Sequence, residues 1–197
     1  MNNNIKHITS VVFQKLKQNA KLIKKASNIP HHEALERSAM DIGFNNWHSV
    51  CIAYESYKLS KDAYESGAIL AVEFKDSIEL MGLKNDEITE DAAMIVNIIR
   101  DDYYQIFINS INPDDPKERT IKESETKEEI NDWFEEHINE IMFFRINKDN
   151  ISKKETLKLA NKYFLFPPLF IFVNSQYFNT CSLPAKNNLG DIVGIRL

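Results

Sequence analysis

The sequence predicts a mostly helical α+β protein, with an N-terminal three-helix module followed by an α+β body that ends in a small antiparallel sheet. Three observations predict this class. Apolar residues recur at helical spacing over residues 9–26, capping patterns precede amphipathic segments in the second half, and short apolar stretches separated by turn residues follow Pro167 and Pro168. We place the domain boundary between residues 60 and 61, so that the module comprises 1–60 and the body 61–197.

The module is predicted to contain three helices in succession. The first covers residues 9–26 and ends before Pro30, because a proline disfavours helical geometry in the residue that precedes it. The second opens near His31 and stops at Gly43, a residue type suited to a left-handed C-terminal turn. Either asparagine of the pair Asn45–Asn46 can cap the third helix, which extends toward residue 57.

The first part of the body contains segments whose periodicity leaves two interpretations open. Residues 69–74 suit a short buried strand or a helical turn, and residues 103–108 either extend a helix that begins at Thr89 or form a strand. Residues 113–129 carry 11 charged side chains in 17 positions, which predicts a solvated loop.

Two capping boxes predict the starts of two later helices. In this pattern a Ser or Thr and the Glu three residues later each satisfy a backbone amide at the helix start, as Thr126 with Glu129 and Ser152 with Glu155 can do. The helix that begins after Ser152 reaches about Tyr163. The buried stripe of the first helix is predicted to comprise Ile130, Phe134, Ile138 and Ile141.

The residue pattern at the C-terminal end of the chain predicts strands. The apolar runs at 169–173 and 177–181 are separated by AsnSerGln, which is typical of a hairpin. A second turn at 187–191 then leads to a third strand over 192–197.

The formal net charge of -5 conceals an asymmetry along the chain. Residues 1–50 carry seven basic and three acidic side chains, a balance of +4, so the remaining 147 residues carry −9. A basic face favours nucleic acid or an acidic partner surface. The five glycines lack the spacing that cradles phosphates, which argues against a Rossmann or P-loop nucleotide enzyme.

Compartment and membrane association are predicted from the apolar runs and the cysteines. The longest apolar run, at 164–173, is too short to span a bilayer, and the N-terminal residues are polar. Cys51 and Cys181 lie 130 residues apart without a disulfide-framework spacing. We therefore expect a cytoplasmic protein with free thiols, no membrane segment and no cofactor.

One stretch of the module resembles a known family. Residues 17–26 form a basic helix, and HHEALERSAMDIGFNNWHSV follows at 31–50. This pattern resembles the short helical module of bacterial and plasmid proteins that carry the name glyoxalase superfamily or glyoxalase-related protein. The resemblance covers about 45 of the 197 residues and implies the setting of a mobile genetic element. The matching residues are His31 or His32, Glu33, Ala34, Leu35, Ala39, Gly43, Phe44, Trp47 and His48.

The family name does not predict a glyoxalase activity for this chain. A glyoxalase-type fold needs paired βαβββ units with metal ligands distributed across them, and residues 60–197 show no such repeat. Packing roles suit the matching residues instead. The predicted module core comprises Leu35, Ala39, Gly43, Phe44 and Trp47.

The candidate binding residues are the basic side chains of the module. Ala39 followed by Gly43 also occurs in helix-turn-helix DNA readers, although Ser38 and Ser49 stand where such motifs usually have apolar residues. We predict contact with nucleic acid or an acidic protein. The predicted contact residues are Lys15, Lys17, Lys21, Lys24, Lys25 and Arg37.

Two alternative functions remain open at the level of sequence. The first is a protein-only inhibitor or immunity-type factor acting through the acidic body. The second is an enzyme with a site between module and body that uses His48, which shares a helix face with Cys51, or His137, which shares one with Glu140. Metal sites need three or four convergent ligands, so we predict no metal site and expect His137 to be a hydrogen-bonded histidine at the edge of the core.

Overall fold

The computed structural model describes residues 8–186 and 191–195, and it confirms the mostly helical α+β class. The chain divides into two compact units, Met1–Lys61 and Asp62–Leu197, called here the first unit and the second unit. Within the described ranges, none of the helices combines the length and the apolar character that crossing a bilayer requires.

The helices are α1 (Ser10–Ser27), α2 (His31–Asp41), α3 (Trp47–Ser66), α4 (Phe74–Ser77), α5 (Ala92–Ile108), α6 (Ile121–Ser124), α7 (Lys127–Asn139) and α8 (Lys153–Tyr163), with a 3-10 turn at Ile78–Leu80. The strands are β1 (Ala68–Glu73), β2 (Ile88–Glu90), β3 (Ile141–Ile146), β4 (Phe170–Val173), β5 (Gln176–Asn179), β6 (Ala185–Lys186) and β7 (Ile192–Gly194).

Local capping chemistry sets the helix ends of the first unit. The hydroxyl of Thr9 accepts a hydrogen bond from the backbone N–H of Val12 at the start of α1. The Oδ1 of Asn46 accepts from the N–H of Ser49 at 2.7 Å, which identifies Asn46 as the asparagine that caps α3. Gly43 has φ +81° in the turn after α2, a conformation that favours glycine. The third helix is longer than predicted and continues to Ser66.

The core of the first unit is built around one aromatic ring. Phe13 stacks on Trp47 with ring centroids 5.3 Å apart and on Tyr54 with centroids 4.1 Å apart. Ala39 and Val50 are fully buried against this cluster. The other predicted core residues are placed as follows: Phe44 is half-buried and packs on the cluster, Leu35 is half-buried, and Gly43 lies at the exposed turn.

The second unit contains a five-stranded antiparallel sheet in the order β2-β3-β1-β4-β5. Apolar side chains cover both faces of its central strands. Ile69 and Ala71 of β1 pack in the cluster that contains α5 and α7, whereas Leu70 and Val72 pack in the cluster that contains Ala160 of α8. Helices therefore cover both faces of the sheet, and its central strands are buried on both sides.

The sheet extends well beyond the predicted C-terminal hairpin. The hairpin itself is confirmed, since β4 pairs with β5 across a turn in which Asn174 and Ser175 have φ of 50° and 61°. Residues 69–74 form a strand, β1, at all positions except Phe74. The separate pair β6–β7 includes part of the predicted third strand, while residues 187–190 of the second turn and residues 196–197 lie outside the described part of the chain.

Two predicted helix boundaries are wrong for the same reason. The predicted helix start at Thr89 falls in β2, where Thr89 pairs with Arg145, and α5 begins only at Ala92. The predicted stripe residue Ile141 belongs to β3, because α7 ends at Asn139. In both cases pairing between distant strands overrides a local apolar spacing that also suits a helix. Residues 103–108 do extend a helix, α5.

The charged segment 113–129 is more ordered than a solvated loop. It contains α6 and the beginning of α7, each with a capping box. The buried amide of Asn112 donates to Ser124 Oγ and Glu125 Oε1, both at 2.9 Å, and thereby ties the start of the segment to α6. The boxes predicted at Thr126 and at Ser152 are both present.

Candidate nucleic-acid interface

The predicted lysines all lie on α1, and all of them are exposed. Buried Phe13, Leu16 and Ala20 mark the inner face of the helix. The remaining faces carry the lysine side chains and the amides of Gln14 and Gln18. The five exposed lysines are Lys15, Lys17, Lys21, Lys24 and Lys25.

Four of these lysines form one stripe. An α-helix turns by about 100° and rises by about 1.5 Å per residue, so these four side chains fall within an arc of about 100° and span about 12 Å along the helix axis. The stripe comprises Lys17, Lys21, Lys24 and Lys25 and is called here the lysine stripe. By the same geometry, Lys15 points about 130° away from the middle of the stripe.

The lysine stripe is not neutralised within the described residues, where none of its members forms an ion pair with a carboxylate. Nearby acids are used elsewhere. Glu36 accepts a hydrogen bond from the backbone N–H of Trp47 at 2.9 Å. Glu33 Oε1 lies 2.8 Å from Arg37 Nη2. The positive charge of α1 therefore faces solvent, where it can attract an anionic surface.

Lys17 has a second contact that fixes its direction. Its Nζ lies 4.5 Å from the centroid of the Phe13 ring, and a cation over the face of an aromatic ring is attracted to it. Burying the aliphatic stem against a ring while leaving the ammonium in water is a common arrangement for lysine. The first ammonium of the stripe is thus held at the edge of the core.

Arg37 differs from the lysines with which it was predicted to act. It lies on α2, one helical turn after Glu33, and the resulting ion pair has both side chains about half exposed. A pair of this spacing compensates the guanidinium charge locally. The structure thus brings four predicted residues together and leaves Lys15 and Arg37 apart from them.

Ser38 fixes the position of α1 against α2. Its buried hydroxyl donates to the backbone carbonyl of Leu16 at 3.0 Å and accepts from the amide of Asn19 at 3.4 Å. A buried hydroxyl costs free energy unless it is hydrogen-bonded, and both partners of Ser38 come from α1. The polar residue that departs from the helix-turn-helix pattern therefore joins the lysine-bearing helix to its neighbour.

The pair His48 and Cys51 lacks the geometry of an activated thiol. His48 is exposed, Cys51 is half-buried against the first unit's core, and no hydrogen bond between them occurs in the described chain. Burial raises the pKa of the Cys51 thiol, with a smaller opposing effect of Lys17. A raised pKa keeps the sulfur protonated, whereas nucleophilic chemistry requires the thiolate. Cys51 and Cys181 are both free.

His137 is the hydrogen-bonded histidine at the edge of the core that its spacing predicts. Its Nε2 lies 2.6 Å from the hydroxyl of Tyr103, and its ring stacks on Phe107 at 5.5 Å. Burial lowers the pKa of His137, and Glu140 opposes the shift. Burial also raises the pKa of Tyr103. These shifts keep both groups neutral near pH 7, so the pair acts as a neutral hydrogen bond between α5 and α7.

Arg145 is a buried cation that the sequence did not single out. It lies on β3 with 8% of its surface exposed, and its Nε has no hydrogen-bond partner within the described residues. Asp91 Oδ2 is 3.8 Å from that nitrogen, and Nη1 donates to Asn147 at 2.5 Å. Burial lowers the pKa of Arg145, while Asp91 acts in the opposite direction. An arginine within an IleMetPhePheArgIle run was the available signal.

Across the described ranges, no group of three or more His, Cys, Asp or Glu side chains converges in a metal-binding arrangement. Comparisons with known proteins add no relative. No family model, no curated protein and no solved structure matches this chain.

Proposed function

We propose that this chain is a cytoplasmic, non-enzymatic accessory protein that binds nucleic acid through the lysine stripe of α1. The observation that supports it is a set of four exposed ammonium groups on one helix face, without carboxylate partners among the described residues. Phosphate contacts by lysine supply most of the affinity in non-specific nucleic-acid binding, because each contact releases condensed counterions. The setting of a mobile genetic element belongs to the same proposal and rests on the resemblance of residues 17–50.

The chain as a whole carries a net charge of -5, so binding to a polyanion requires that its positive charge be concentrated. The asymmetry of the sequence supports this requirement, since the balance is +4 over residues 1–50 and −9 over the rest. At about 0.15 M salt the Debye length is about 8 Å, so any carboxylate farther than this from a bound phosphate is largely screened from it. The local charge of α1 then decides whether binding occurs.

Fluorescence anisotropy with the full-length chain and a labelled DNA duplex of roughly 20 base pairs tests the proposal at about 50 mM salt. A fourfold variant with Lys17, Lys21, Lys24 and Lys25 each changed to Gln should bind at least about a hundredfold more weakly, because four phosphate contacts are lost. Its unfolding free energy should change by no more than about 0.5 kcal/mol, since these side chains are exposed.

A matched control removes the same charge from the second unit. Four of its exposed lysines that form no ion pair among the residues described, Lys117, Lys127, Lys154 and Lys158, are each changed to Gln. This control should retain the affinity of the unmodified protein within about threefold. Equal losses in the two variants would show that only overall charge matters. Absence of binding by the unmodified protein would exclude a nucleic-acid function, and binding to polyglutamate instead would identify an acidic protein as the partner.

A further inference from the structure

We infer that the lysine stripe recognises double-stranded rather than single-stranded nucleic acid, and reads its phosphate backbone independently of base sequence. This inference rests on the proposed function and specifies its substrate class. It follows from three features of α1: the type of its exposed side chains, the burial of its aromatic ring, and the spacing of its charges.

The helix offers no stacking platform for unpaired bases. Proteins that bind single strands combine basic grooves with aromatic rings, and each stacked base contributes about 1–3 kcal/mol. Phe13 is the only aromatic residue of α1, and it is 8% exposed. Trp47 and Tyr54 stack on it and the Lys17 ammonium covers it, so its faces are occupied. Single-strand binding uses base stacking and electrostatic attraction, and α1 can supply only the electrostatic attraction.

The remaining aromatic side chains of the first unit present only part of their rings to solvent. Phe44, Trp47, Tyr54 and Tyr57 are all partly buried within the unit's described residues. Three of them, Phe44, Trp47 and Tyr54, pack on the core cluster that holds Val50 and Ala39. Stacking a base on the buried part of any of these three rings would require the core of the first unit to open.

The charge spacing of the stripe suits a duplex. A duplex carries one negative charge per about 1.7 Å of its axis when both strands are counted, and a single strand carries one per about 3.4 Å. The stripe's span of about 12 Å therefore faces roughly seven phosphates of a duplex and three to four of a single strand. On a duplex, the four lysines can each contact a separate phosphate. On a single strand they can do so only if the phosphate spacing matches the lysine spacing closely.

Counterion release converts this difference into a measurable ratio. The slope of log K against log salt is about −0.9 per phosphate contact for a duplex and about −0.7 for a single strand, so four contacts give about −3.6 and about −2.8. The two slopes differ by about 0.8. With the two affinities taken as equal at about 1 M salt, this slope difference corresponds at about 50 mM salt to a preference for the duplex of about tenfold.

Sequence independence follows from the residue type. Lysine is a flexible point charge, whereas arginine presents the planar fork that reads guanine in the major groove. The only arginine of the described first unit, Arg37, is paired with Glu33 and lies on another helix. Gln14 and Gln18 are the exposed amides beside the stripe, and they are the groups on α1 that could hydrogen-bond a base edge.

The experiment measures anisotropy with the full-length chain from about 50 to 200 mM salt. The probes are two duplexes of unrelated sequence and the single strands that compose them. We expect both duplexes to bind within about threefold of each other, about tenfold tighter than the single strands, with a slope near −3.6. Each single Lys→Gln change in the stripe should reduce the magnitude of the slope by about 0.9.

The outcomes separate this inference from the proposed function. Binding to single strands as tight as to duplexes would overturn the inference while leaving nucleic-acid binding intact. A preference between the two duplexes that disappears in the Gln14→Ala, Gln18→Ala variant would overturn backbone reading and assign base contacts to these amides. No binding to either duplex or to any of the four single strands would refute the proposed function itself.

Discussion

In the first unit the ammonium groups of α1 face solvent without acidic partners in the described chain, whereas in the second unit several cations are paired with acids from other elements. Arg100 of α5 pairs with Glu135 of α7, and Lys162 of α8 pairs with Glu87 before β2. Tyr163 also donates to Glu87, at 2.5 Å. The second unit thus uses charge to join its elements, while the first unit leaves its positive charge available.

The difference teaches how to separate charge that serves the fold from charge that can serve binding. An ion pair that joins two elements has a role within the fold, so its presence needs no external partner. An unneutralised row of like charges repels itself, and at i, i+4 spacing it weakens a helix by a few tenths of a kcal/mol per pair. Lys17, Lys21 and Lys25 stand at that spacing, and their mutual repulsion is offset within the fold only by the Lys17–Phe13 contact and by the helix dipole at Lys25.

The largest expected effect tests whether the core of the second unit carries its stability. Phe134 is 1% exposed and contacts the rings of Tyr104 and Phe107 at 5.1 and 5.4 Å. Phe134→Ala removes these contacts and leaves a cavity, so we expect a loss of about 3–5 kcal/mol in unfolding free energy. Urea unfolding in a Trp47→Phe background measures it, because Trp133 is then the only tryptophan and reports on the second unit.

A matched substitution controls for the loss of a phenyl group. Phe74 at the start of α4 is 41% exposed, so Phe74→Ala should cost far less than Phe134→Ala. Equal costs at the two positions would mean that the α5–α7 cluster is not the main source of stability.

A smaller effect is expected at a helix start. Ser152 caps α8 by accepting from the backbone N–H of Glu155 at 3.3 Å, and Glu155 closes the box by accepting from the N–H of Ser152 at 3.0 Å. Ser152→Ala removes the cap, so we expect a loss of about 1 kcal/mol in the Trp133-reported transition. Ser182→Ala, at an exposed position, is the control and should be neutral. A cap variant as stable as the control would refute the assigned role.

How far the sequence predicts the fold depends on how local the deciding contacts are. Thr126–Glu129 and Ser152–Glu155 mark helix starts correctly because the box closes within four residues. β3 was missed because it is buried on both faces, so its apolar run lacks the alternation that identifies a half-buried strand. Its neighbour β1 is about 70 residues away, and no local pattern contains that pairing.

The features of the candidate site also differ in whether local or distant contacts decide them. The exposure of the α1 lysines follows from periodicity, and so does the compensation of Arg37, because Glu33 stands one turn before it. The buried position of Arg145 and the Tyr103–His137 hydrogen bond depend on contacts between distant elements. For Tyr103 and His137 the sequence separation is 34 residues, so only the folded chain brings these groups together.

The smallest effect we predict is a pH dependence of the unfolding free energy, and it differs between the histidines of the two units. His48 of the first unit is exposed, whereas burial lowers the pKa of His137 below its usual value near 6.5. A histidine whose folded pKa is lowered binds a proton more readily when the chain is unfolded. Its contribution to stability is therefore complete above the usual value and is lost as the pH falls toward the folded pKa.

Unfolding free energies at about pH 7.5 and about pH 5.5, followed by Trp133, test this assignment. The unmodified protein should lose more stability on acidification than the His137→Gln variant, whose amide can still bond the Tyr103 hydroxyl but cannot titrate. Because Glu140 opposes the shift, we expect the difference to be modest. If instead His137→Gln keeps the full acid sensitivity, other groups titrate with folding and the Tyr103–His137 bond is not the pH-dependent link between α5 and α7.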